Sequence, residues 1–344
     1  MDNLSNMSTL VPDGHRNTST YVSPLSGPGF VVFNVVLLVV VVLPVVVLNG
    51  IILLALLLET STARVVRLAL GSILVSCLIV ALGLVMYHIS GIILNLAPVD
   101  NPSSIPCTIT VFLIAFGNAA RLVFMATFAV TVYTVIKHSY AVKRRAGYIA
   151  LVIVAILWAV TFLGSTPAFS VVVVRSLYVD SLSCGPIPTS VGSYIYLAFY
   201  IFVFGVVAFI MTIVFLIVTV CYVKQRTVPG NRENALGMIK FGFFLMLGNA
   251  LNIIAQILPQ LLAALIVPPS AVSVEEYEVI AFEEGIYAAY ALFALSLIPT
   301  PICMVIFFSR LRQKLASLFY CRKEEVDTSQ SAGTMDTKES STRL

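Results

Sequence analysis

Charge is scarce in this sequence. Only 10% of its 344 residues are Asp, Glu, Lys or Arg, where a water-soluble domain carries about 25%. So few charges cannot clothe a water-facing surface of this size, and a soluble globular protein is excluded. Histidine is equally thin: His15, His88 and His138 are scattered along the chain. There is no metal-ligand cluster, no nucleophile–base pair and no phosphate-binding loop. An enzyme is therefore not expected, and neither is a metal or a cofactor. The net charge of +4 is small and calls for no nucleic-acid partner, because topology accounts for it. Alternation of apolar and polar residues over about 10 residues, the mark of a membrane β-strand, is missing from runs such as VVFNVVLLVVVVLPVVVLNG.

What is there is apolar: 59% of the residues are hydrophobic and the mean hydropathy is +1.02. A spanning helix takes roughly 20 largely apolar residues. Seven stretches qualify, about 30–58, 67–95, 106–137, 147–173, 194–223, 236–267 and 281–308. The fold class expected is an all-α membrane protein, a seven-transmembrane helix bundle. Lys and Arg set its orientation. Seventeen of the 20 fall in the segments 64–67, 137–145, 224–240 and 310–343, which are inner if the N-terminus is outside. Arg16 and Arg175 lie on the other side, and Arg121 lies within a span.

The first 29 residues carry three glycosylation sequons, at Asn3, Asn6 and Asn17, usable only on the luminal side. The first apolar run is too long for a cleaved signal peptide and is expected to serve as an uncleaved anchor. Cys77, Cys221 and Cys303 fall in apolar spans, where cysteine acts as a small buried hydrophobe. Only Cys107 and Cys184 face the oxidising side. A disulfide between them is expected; two free thiols are the other reading. The run VEEYEVIAFEEG, with Glu275, Glu276, Glu278, Glu283 and Glu284, reads as a solvated outer loop or as a negative rim that attracts cations.

Seven helices with an outer N-terminus and this cysteine pair resemble the rhodopsin-like (class A) G-protein-coupled receptors over roughly residues 30–321. Asn49 in LNG is similar to that family's Gly-Asn signature with the order reversed. Trp158 with Pro167, and Pro259 in QILP, fall where the family keeps its tryptophan and its two prolines. TPICM resembles the family's Asn-Pro-x-x-Tyr, with Thr300, Pro301 and Met304 in the frame. Beyond it, Phe307, Phe308, Leu311, Leu315 and Phe319 alternate with Arg310, Arg312 and Lys314, as in an amphipathic eighth helix (309–321) lying on membrane lipid. Cys321 then stands as a palmitoylation site, or simply as an unmodified thiol. TVYTVI aligns with the family's Asp-Arg-Tyr stretch: Tyr133 matches, while Thr131 and Val132 replace the acid and the arginine. The resemblance implies that Thr131, Val132, Tyr133, Lys240, Pro301 and Met304 lie toward a heterotrimeric G protein or arrestin, with the main switch residue absent.

The same frame puts Ser72 where the family has a sodium-binding acid and Arg121 where it has a serine. A mid-membrane arginine is functional by default. It would sit among Asn49, Ser72, Asn118, Asn249, Asn252, Ser296 and Thr300, with no carboxylate at matching depth. Three readings stand: a built-in replacement for the ion, a group facing a water-filled cavity that binds an anionic ligand, or a snorkelling side chain. Ile114 replaces the aminergic aspartate, and no lysine for retinal occurs in 281–308. Phe112, Ile114, Tyr196, Tyr200, Tyr287 and Tyr290 are the ligand-pocket candidates, or else core and interfacial belt residues. They point to an apolar or small organic ligand.

Residues 322–344 form a polar cytoplasmic tail, expected to be disordered. Its end, STRL, fits a PDZ-domain ligand through Thr342 and Leu344. The expected function is a plasma-membrane receptor, with an unknown extracellular ligand, that signals through its inner face. A decoy or scaffold receptor that binds without activating G proteins is the alternative. A transporter or channel is a third reading, and it rests only on Arg121 and the intramembrane asparagines.

Overall fold

A computed structural model describes residues 28–59, 62–96, 104–137, 144–167, 191–225, 232–266 and 291–320. All regular structure among them is helical. Helix α1 runs through three consecutive pieces, Pro28–Val36, a wide-turn (π) segment Leu37–Val42, and Leu43–Leu58. Then follow α2 (Arg64–Leu96), α3 (Ser104–Lys137) and α4 (Arg144–Ser165). Helix α5 is again tripartite, Val191–Tyr200, a π segment Ile201–Val207, and Ala208–Gln225. Helix α6 is Arg232–Ile266, α7 is Ala291–Phe307, and α8 is Ser309–Tyr320. By length and composition α1 to α6 can each cross a membrane. Helices α7 and α8 qualify only as a pair, bent by 96° at Phe308.

The wide turns of α1 have a cause in the sequence. Pro44 has no N–H, and its ring crowds the carbonyl four residues back, so the helix loosens just before it. In α7 the ladder is interrupted at Ile298, ahead of Pro299: Ile298 keeps helical dihedrals, but Pro299 has no N–H to give to the carbonyl four residues back, Leu295 O. Ile298 N–H falls back on Leu295 O at 3.2 Å. The same effect corrects one expected boundary. The fourth apolar run extends to 173, yet the helix stops at Ser165 and turns through Thr166 and Pro167.

α3 is the axis of the bundle. Arg121, Phe124, Phe128 and Val132 are each fully buried, at the three- and four-residue spacing of one helix face. Its tightest neighbour is α2. A Cβ on Gly117 would stand 2.9 Å from Val80 N and 3.0 Å from Ser76 O, and one on Gly83 would stand 2.8 Å from the Ile114 side chain. Lipid tails offer no hydrophobic drive between helices, so such close backbone packing holds them together. Phe112, Phe116 and Phe162 form a ring cluster, and Trp158 bridges Phe116 and Phe124, tying α3 to α4. The outer faces of α1 and α4 remain apolar and exposed, for example Val40, Val47, Ile149, Ile156 and Leu163, as a bilayer requires.

Cys77 and Cys303 are buried, as expected, but Cys221 is exposed. It falls on the outward side of α5, since Leu216 and Thr219 take the inward one.

Candidate functional site

The sequence reading gathers its polar candidates around Arg121, and the structure brings some of them together. Arg121 sits near the middle of the 34-residue α3 and is fully buried. Its Nη1 donates to Ser296 Oγ of α7 at 3.2 Å, and its Nη2 donates to the Gly248 carbonyl of α6 at 3.4 Å. Both are longer than the usual N–H···O separation of about 2.9–3.0 Å. Nε has no partner. One turn nearer the N-terminal end of α3, Asn252 Nδ2 donates to Asn118 Oδ1, a second link between α6 and α3. The remaining amide atoms are idle: Asn252 Oδ1 and both polar atoms of Asn249 are buried without hydrogen bonds.

Thr300 is also buried and lies within hydrogen-bonding reach of the Cys77 thiol, so α2 meets α7 here. Two candidates do not join the node. Asn49 donates instead to Val45 O of its own helix at 2.8 Å, and Ser72 is buried but not hydrogen-bonded to Arg121. The acidic residues among those described are Glu59 and Glu233, near the end of α1 and at the start of α6. Glu59 does not pair with Arg121.

Toward the basic ends of the helices a second tie appears. Phe128 of α3 meets Phe241 of α6 edge-on at 5.3 Å, and Phe241 meets Phe308, the joint between α7 and α8, at 5.3 Å. Phe307 lies against Phe244 at 5.3 Å. Val132 is fully buried in this apolar layer with Met304, and Thr131 is nearly so. Tyr133 turns instead to α5, against Phe215 and Tyr222, with Lys137 Nζ 5.3 Å from its ring centre. Lys240 is exposed and Pro301 is buried.

The described pocket candidates do not face one opening. Phe112 packs into the ring cluster with α4, and Ile114 is wedged against Gly83 of α2. Tyr196 and Tyr200 do share one face. Tyr196 donates to Gly164 O at 2.9 Å, and Tyr200 donates to Ala115 O within reach of Asn118. They act as pins from α5 to α4 and α3. Tyr200→Phe deletes one such hydrogen bond, worth about 1 kcal/mol. The purified variant should unfold about 2 °C lower in a thermal shift assay.

Asn3, Asn6, Asn17, Cys184, Tyr287, Tyr290, Cys321, Thr342 and Leu344 lie outside the described residues, as does the side chain of Cys107. Two features escape the sequence reading. One is the Phe128–Phe241–Phe308 ladder, whose phenylalanines look like any others in an apolar run. The other is the buried pair His88 Nδ1 and Asn34 Oδ1, 2.7 Å apart across α1 and α2; two polar residues within apolar spans were its signal. Compared with known proteins, the sequence matches no family model and no curated protein at a significant level.

Proposed function

We propose that the chain is a seven-helix receptor of the plasma membrane, with its N-terminus outside and the basic helix ends inside. It passes the binding of an extracellular ligand to a G protein or arrestin. In this reading α7 is the seventh span, and α8, with Leu311 turned inward and Arg310 and Arg312 outward, is an amphipathic helix on the inner leaflet. The observation that carries it is the double tie of α3 to α6 and α7, polar at mid-bundle and aromatic at the inner mouth. A bundle locked at two levels has two discrete arrangements available, tied and open, which is what a switch needs. The aromatic ladder stands in for the ionic latch that Thr131 and Val132 cannot form.

The burial of Val132 favours a second reading, a decoy or scaffold receptor, because an apolar, fully buried side chain stands where the family's arginine would meet the G protein. One experiment separates the two. Ligand-free activation of a panel of G proteins and arrestin is measured at matched surface expression for wild type, Phe241→Leu and Val132→Arg. Phe241→Leu breaks two ring contacts and should raise the basal signal at least twofold. Activity only in Val132→Arg assigns the decoy. Silence in all three overturns the receptor reading.

A further inference from the structure

We propose that Arg121 is the core of an internal binding site for a small inorganic anion, chloride being the physiological one. Arg keeps its proton in any protein environment, so burial cannot neutralise it as it would a lysine. An uncompensated ion in a low-dielectric interior is strongly destabilising. Yet among the described residues no carboxylate pairs with this one, and its two hydrogen bonds, 3.2 and 3.4 Å, go to neutral oxygens.

The donors point the same way. The guanidinium has five N–H groups. Nη1 and Nη2 each give one long bond, and Nε gives none. Asn249 Nδ2, on the residue next to Gly248, is a further buried donor without an acceptor. The arginine draws together α3, α6 and α7 at the middle of the bilayer, where a monoatomic anion can be held by N–H groups alone. Chloride suits this better than phosphate, whose several oxygens would need more donors and room. Asn249 Oδ1 and Asn252 Oδ1, buried without hydrogen bonds, are acceptors that cannot hold an anion; each suits a water instead. The site does not depend on the receptor reading. If that reading holds, anion occupancy sets how firmly the three helices are tied.

The test is thermal unfolding of the purified full chain in detergent, with sodium chloride exchanged for sodium gluconate at constant ionic strength. The midpoint should rise saturably with chloride, by roughly 5 °C at a hundred times the half-saturating concentration. Bromide should substitute, and sodium exchanged for choline should change nothing. Arg121→Gln should abolish the dependence. Should that variant not fold, Ser296→Asp supplies the missing carboxylate directly to Nη1. It should unfold in gluconate near the chloride-saturated temperature of wild type and ignore chloride. A midpoint indifferent to chloride would mean that the node holds water alone, and would overturn the site. So would a dependence that follows the cation, or one that survives in Ser296→Asp. None of these outcomes requires signalling, so failure here and failure of the receptor reading are told apart.

Discussion

In the plasma-membrane receptor proposed above, Gly117→Ala should strip the protein from the cell surface, although the same change at Gly50 should be harmless or mildly stabilising. At Gly117 the added methyl stands 2.8 Å from Val80 Cγ2, 2.9 Å from Val80 N and 3.0 Å from Ser76 O. A side chain can rotate away from such a contact, but two backbone atoms of α2 cannot. The helices must separate, and Gly83, pressed on Ile114 one turn beyond Val80 along α2, loses its fit with them. Overpacking of this kind costs about 1–3 kcal/mol, and backbone contact on one side puts Gly117 at the upper end. Helix propensity returns only about 1 kcal/mol. Gly50 has nothing within 4 Å of the added methyl, so there the propensity gain stands alone. Cell-surface labelling against total protein measures both. Equal surface levels for the two variants would mean that α2 and α3 pack less closely than described.

Why was so much of the bundle legible from the sequence, and so little of its interior? Every span obeys one rule, a long apolar run closed by charge. Hence 30–58, 106–137 and 194–223 agree within three residues with the helices found. Boundaries failed where a proline overruled apolarity, as at Pro167, because hydropathy is blind to a missing N–H. Polar residues in an apolar matrix also announce themselves: Arg121 and Ser296 were candidates and are hydrogen-bonded to each other, while Asn118 pairs with Asn252 and Thr300 lies by Cys77. Direction was not legible. Asn49 has the same chemistry as Asn118, yet it bonds its own helix, and only the rotation of α1 decides that. Contacts between like residues were not legible either, since nothing in sequence distinguishes Phe241, caught between two rings, from Phe243, exposed one turn-face away.

Arg121→Met should make the protein more stable in chloride-free buffer while altering its signalling. Most buried polar residues cannot be removed so cheaply, because their partners are left unsatisfied. Here the partners are already provided for. Ser296 Oγ donates to Phe293 O at 2.8 Å whether or not Arg121 is present. Gly248 O lies within a continuous α6, and the Asn118–Asn252 bond does not involve the arginine. Methionine fills the stem volume with a flexible apolar chain and removes the charge. Replacing buried ions by apolar residues of similar size stabilises by about 1–4 kcal/mol where it has this effect, which is about 2–8 °C in the unfolding midpoint of a chain this long. The gain should shrink as chloride is added, since the wild type then acquires the counter-charge that the variant no longer needs. A variant less stable than wild type in gluconate would show that the arginine is satisfied without an anion. A variant more stable yet unchanged in basal G-protein activation would separate the charge from the switch. The expected combination, higher stability with shifted activation, means that a buried cation persists at a cost in stability because the tie of α3 to α6 and α7 must be able to open.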